Sequence, residues 1–251
     1  MDNLHNFITV FGDEEVRSVK DFWQAYSTRR SLIDFGADTN TGRYPRYGYN
    51  LSRQTYYYIN RSGRRIVVPN SSIKLEVERY AHNLCDIQRG LATKLINGRI
   101  SLQNFYEDSA RVMKLGFMAV IHIARGSSLD MSQLEKQHWE EVMNFQLERL
   151  GSLAQRIERG EKPLDGSILN AACQMGEAAN VLFENWKLWE AKLVGKRQGR
   201  RRTTFAENCH ATEVRPGCRE LARQGWRPIA EVVPIGDAAC YGNCHCRLEF
   251  R

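Results

Sequence analysis

The chain has 251 residues, enough for one domain and a small second one, and its 42% hydrophobic and 26% charged residues are ordinary for a soluble globular protein. Met1-Asp-Asn-Leu-His5 offers no basic start or apolar run of a signal peptide, and the longest apolar run, Leu115 to Ala124, is too short to span a bilayer. Seven cysteines, an odd count, speak against a complete disulfide framework and for synthesis in a reducing cytoplasm, while the net charge of +7 suits a partner rich in phosphate or carboxylate, or serves solubility alone.

In chain order, Glu14 to Tyr26 places Val16, Val19, Phe22 and Trp23 on one side of a helix. Residues 27 to 54 show no period; Gly42-Arg-Tyr-Pro-Arg-Tyr-Gly-Tyr-Asn50 reads as loop. Residues 1–54 are therefore expected to form an N-terminal arm that lies on a neighbouring subunit or on its own. Interleaved Arg and Tyr also permit phosphate pairing and base stacking on nucleic acid. Thr55 to Ile59 and Arg64 to Val68 are β-rich runs around Asn60-Arg-Ser-Gly63, which predicts a hairpin that Pro69 stops.

A helix is expected from Ser71 or Ser72, where Ile73, Val77, Tyr80, Leu84, Ile87, Leu91 and Leu95 recur at spacings of three and four; Asn97-Gly98 ends it. Ser101 caps a second helix, with Tyr106, Ala110, Met113, Phe117, Val120 and Ala124 as its stripe and Gly126 closing it. Ser132-Gln-Leu-Glu135 is a capping box for a third, which carries Trp139, Met143, Leu147, Leu150, Ala154 and Ile157. The fourth, from about Ser167, alternates strictly by four and three from Ile168 through Met175, Leu182, Trp186 and Trp189 to Leu193. The class predicted is mainly α, an antiparallel helical bundle over residues 55–195 that includes the short N-terminal β-hairpin, followed over 196–251 by a small Cys/His-stapled C-terminal module. Trp186 and Trp189 are expected to be largely buried against the third helix or the tail.

Lys196, Arg197, Arg200, Arg201 and Arg202 read as a basic linker, either a solvated hinge or a phosphate-neutralising contact to DNA without base readout. Beyond it lie five of the seven cysteines and two of the six histidines. A segment of that size buries too little apolar surface to fold alone and needs a metal or disulfides. Cys209, Cys218, Cys240, Cys244 and Cys246 are the candidate ligands, with His210 and His245 in reserve. Zinc accepts such donors tetrahedrally, and disulfides or free thiols are the alternatives. Cys218, Cys244 and Cys246 are expected to converge, with Cys209 or Cys240 completing the set and Trp226 covering the cluster.

No catalytic pattern stands out. His138-Trp-Glu-Glu141 lacks the two histidines one turn apart of a metalloprotease, Gly195-Lys-Arg197 follows a helix rather than a strand, and no Gly-x-Ser-x-Gly elbow occurs. His210 and His245 beside a basic stretch raise the thought of a metal nuclease, which needs a general base and an open metal position that these two would have to serve, but no family pattern supports it. Cys85, Cys173 and His122 fall on apolar helical faces and read as inert core residues.

The tail order Cys209, Cys218-x-x-Leu221-Ala, Gly225-Trp-x-Pro-Ile229, Pro234-Ile-Gly236, Cys240, Asn243-Cys-x-Cys-x-Leu-Glu249 resembles the C-terminal end of tailed-phage minor head proteins, the phage Mu F-like head morphogenesis family. The family often places its first two cysteines close together, whereas eight residues separate Cys209 from Cys218 here. Upstream, Gly98 to Phe105 resembles that family's entry into a helix and Tyr57 to Val67 its N-terminal hairpin, so the likeness covers roughly residues 55 to 251. It implies a structural, non-enzymatic minor head protein in the virion, assembled in the host cytoplasm. Its partners would be the portal protein, the major capsid protein and packaged DNA, in several copies per particle and without a membrane. The competing reading is a nucleic-acid-binding protein built on a zinc knuckle.

Overall fold

The computed structural model describes residues 47–50, 53, 55–59, 62–125, 131–203, 216–237, 244 and 246–251. The helix expected over Glu14 to Tyr26 and most of the arm lie outside the described residues.

Three antiparallel strands lead in: β1 (Tyr47–Asn50), β2 (Thr55–Ile59) and β3 (Arg65–Val68), in that order across the sheet. The expected hairpin is β2–β3, with Gly63 at φ 78° supplying the left-handed turn residue. β1 is a correction, because residues 47–50 were read as loop and instead pair with β2, Tyr49 opposite Tyr56. Tyr47 and Tyr49 alternate around Gly48, where any Cβ would overlap the Tyr57 ring. The alternation is too short to register as a period. Buried Tyr56 donates its hydroxyl to the Ala124 carbonyl at 3.3 Å, occupying an acceptor that a helix end leaves open.

Four long helices follow: α1 (Asn70–Ile96), α2 (Leu102–Ala124), α3 (Gln133–Glu158) and α4 (Gly166–Leu193). Their starts follow the side chains. Ser101 Oγ accepts from Asn104 N at 3.0 Å, and Ser132 and Glu135 form the full capping box. Asp165 accepts from Ser167 N at 2.8 Å. The fold is the mainly helical bundle expected, with the sheet at its N-terminal side and a small Cys-bearing module at its C-terminal side.

The closest approach is between α1 and α4. Ala172, Gly176 and Ala179 present almost no side chain there, and a Cβ on Gly176 would overlap the Cys85 backbone. Cys85 and Cys173, read as inert thiols, form a disulfide across this contact with Cα atoms 4.0 Å apart. Three turns away on each helix, Lys74 meets Glu184; the two pairs step in opposite directions, as an antiparallel packing requires. Trp186 is fully buried, whereas Trp189 is half-buried and stacks on His138 of α3 at 4.6 Å. Among the described residues, no helix is long and apolar enough to cross a membrane.

Candidate metal centre at the C-terminal thiol cluster

The run read as a basic linker is a strand. β4 (Gln198–Arg202) is the centre of a second antiparallel sheet, flanked by β5 (Arg227–Pro228) and β6 (Arg247–Phe250). Strand geometry sends successive side chains to opposite faces. Gly199 and Arg201 therefore point inward and Arg200 and Arg202 outward. The period of two is present but written in glycine and arginine, so hydropathy does not reveal it. Gly199 is needed because a Cβ there would stand 2.8 Å from Val232 Cγ2.

The inner face packs on the last turns of α4. Leu188 and Ala191 share one core with Leu221, Ile235, Leu248 and Phe250. Two polar residues of α4 fasten the module. The Asn185 amide donates to Ile235 O at 2.9 Å and accepts from Ile235 N at 2.8 Å, as a backbone partner would. Buried Glu184 accepts the Leu248 N–H of β6 at 2.9 Å and is balanced by Lys74 at 3.6 Å and Lys187 at 3.8 Å. Neither was anticipated. The signal was their type: charged and amide residues within a helix that is buried on nearly every side.

Within this core Cys218, the first residue of α5 (Cys218–Arg223), meets Cys244 and Cys246, which lead into β6. The three sulfurs lie within 4.8 Å of one another, all three residues are buried, and all are reduced. Cys218 and Cys244 are 3.6 Å apart at sulfur, far beyond a disulfide bond and close to the roughly 3.8 Å edge of a tetrahedron with Zn–S bonds of about 2.3 Å. Buried, soft and convergent donors fit a structural zinc ion. Cys209, Cys240, His210 and His245 lie outside the described residues.

Arg201 is the buried cation of the site. Its Nη1 donates to Cys218 Sγ at 3.2 Å and to Cys244 Sγ at 3.7 Å, and Nη2 donates to the carbonyls of Val233 and Pro234, each at 2.9 Å. Burial alone would loosen the proton of this guanidinium; the charges of Cys218, Cys244 and Cys246 more than reverse that and raise its pKa. For Cys246, the hydrogen bond with Cys218 lowers the pKa most. Hydrogen bonding with Cys244, burial and the Cys244 charge together outweigh it and hold the thiol above its usual range.

Two further expectations need correction. Arg201, expected with the linker to contact nucleic acid, is 4% exposed and directed at the thiols. Trp226 does not cover the cluster; it lies on the opposite face of the sheet, where the guanidiniums of Arg200 and Arg251 stack on its ring at 4.4 Å. The alternation that turns Arg201 inward turns Arg200, and Trp226 with it, outward. Arg200 and Arg202 both pair with Glu249, at 2.7 and 3.3 Å. Lys196 and Arg197 use their backbone N–H groups on Ala191 O and Arg251 O, leaving Arg197 exposed.

Fold and site together define a helical-bundle protein with a thiol-clustered C-terminal module. Among known proteins, no family model, no curated protein and no solved structure matches the chain.

Proposed function

We propose that this chain is a structural minor head protein of a tailed bacteriophage, non-enzymatic, placed at the portal or capsid during head assembly. Zinc holds its C-terminal module through Cys218, Cys244 and Cys246. In this role the ion supplies no chemistry beyond cross-linking segments too small to fold alone. The observation that carries the reading is the convergence of the motif positions behind the family likeness: Cys218, Leu221, Ile235, Cys244, Cys246 and Leu248 share one buried core on α4. A motif whose spaced residues meet in one core is an architectural unit, which supports a family of that architecture.

Two measurements test it. The full-length chain is incubated with the phage portal protein and with the major capsid protein, with and without DNase, and capture is scored. Nuclease-insensitive capture is the expected result. Binding that DNase abolishes, and that weakens steeply with salt, favours the zinc-knuckle nucleic-acid reading instead. Elemental analysis of the purified protein is expected to give about one zinc per chain. Zinc far below that with all tail thiols oxidised would reject the metal and leave a disulfide-stapled module.

A further inference from the structure

The position of Arg201 limits what else can bind at the thiol cluster. Its guanidinium is buried, fixed by four acceptors, and permanently charged under any physiological condition. A buried charge must be matched nearby, because an uncompensated ion in a low-dielectric interior is strongly disfavoured. Among the described residues Arg201 makes no ion pair with a carboxylate, and Glu184, the fully buried carboxylate that touches the module, is already matched by Lys74 and Lys187. Arg201 must therefore be neutralised by the sulfurs it contacts.

Resting on the zinc reading above, we propose that Arg201 is a built-in counter-cation that sets the site at three thiolates and one neutral fourth donor, an imidazole or a water. Three thiolates from Cys218, Cys244 and Cys246 with one divalent zinc leave a single negative charge, and Arg201 cancels it. A fourth thiolate would leave one negative charge buried and unmatched. Hydrogen bonds from Nη1 to two of the sulfurs also orient those ligands and disperse their charge, the part that outer-sphere partners play around metals. Through Nη2 the same side chain pins the Val233–Pro234 turn, so ligands and turn are positioned by one residue.

The test uses the full chain loaded with zinc alone. Zinc K-edge X-ray absorption is expected to report three sulfur neighbours and one nitrogen or oxygen neighbour; four sulfurs would overturn the proposal. Zinc affinity is then measured by competition with a chromophoric chelator at fixed pH, with the helical circular dichroism of the bundle as a folding control. Arg201→Met is expected to bind zinc about 10–100-fold more weakly, and Arg201→Lys, which keeps the charge but not the fork, to lose less. Unchanged affinity in Arg201→Met would overturn the role given to Arg201. If that variant does not fold its tail, the sulfur count on the wild type still decides. A wild-type chain that takes up no zinc at all rejects the metal centre itself as well as this assignment, a result distinct from four-sulfur coordination.

Discussion

Glu184 is the residue whose loss should do most to separate module from bundle. Its side chain is 1% exposed and meets Lys74, Lys187 and the Leu248 N–H. Glu184→Ala removes one carboxylate and strands three partners. Lys74 is itself buried and keeps, among the described residues, the Asn180 amide oxygen at 3.5 Å and the face of the Phe183 ring. Breaking a buried ion pair from one side costs about 3–5 kcal/mol, and the orphaned Leu248 N–H falls within that figure. For a chain of this size the melting temperature should drop by about 6–20 °C. Hydrogen exchange at Leu248 should accelerate more than exchange in α1 and α2, because β6 loses its tie to α4. Replacing Glu184, Lys74 and Lys187 together by Met tests the cause. Removing all the charges should recover most of the ion-pair loss, yet leave the roughly 1–3 kcal/mol of the unsatisfied N–H. A Glu184→Ala protein that melts within a degree of wild type, with unchanged exchange at Leu248, would refute the reasoning.

Trp186→Ala should cost about 3–5 kcal/mol, since the ring is fully buried and its Nε1 donates to Glu190 Oε1 at 3.0 Å; thermal melting reads it directly. Burial is the main cause that raises the Glu190 carboxyl to about 7. The folded chain therefore holds a proton there that the unfolded chain, with a carboxyl near 4.5, has already released. Stability should fall as pH rises from about 4.5 to about 7 and then level off, and Glu190→Gln should flatten this slope in urea melts taken across that range. Opening the Cys85–Cys173 disulfide, which closes 88 residues of sequence, should cost about 4–5 kcal/mol on the loop-entropy account; urea melts of a Cys85→Ala/Cys173→Ala protein against wild type, both without reductant, measure it.

The bundle was legible because its information is local. Spacings of three and four place Val77, Leu84, Met113, Leu150 and Trp186 in the core, and Ser101 and the Ser132–Glu135 pair mark their helix starts. What is not legible in the sequence depends on contacts across long stretches of chain. The Cys85–Cys173 bond follows from how closely α1 and α4 approach, which Gly176 permits and no single helix reveals. Nothing local places Trp226 on the outer face, because its neighbour in the fold is Arg200, a residue of a strand whose alternation hydropathy does not reveal. The thiols were legible as a group from composition, but the cation that organises them was counted as surface charge.

The three consecutive arginines of β4 show why the module cannot be separated from the bundle. Arg200 and Arg202 are held on the outer face by Glu249 of β6, while Arg201 between them reaches the sulfurs and the Val233–Pro234 turn. One strand thus joins the outer charge pairs to the inner thiol site. β6 is in turn joined to α4 through Leu248 and Glu184, and Glu184 to α1 through Lys74. The apolar share of the module's core is likewise supplied from outside it, by Leu188 and Ala191. A cross-link at the three sulfurs therefore acts on more than the tail: by fixing β6 relative to α5 it fixes the edge that α4 grips. The C-terminal segment is then better regarded as the closing layer of the bundle than as a domain attached by a linker.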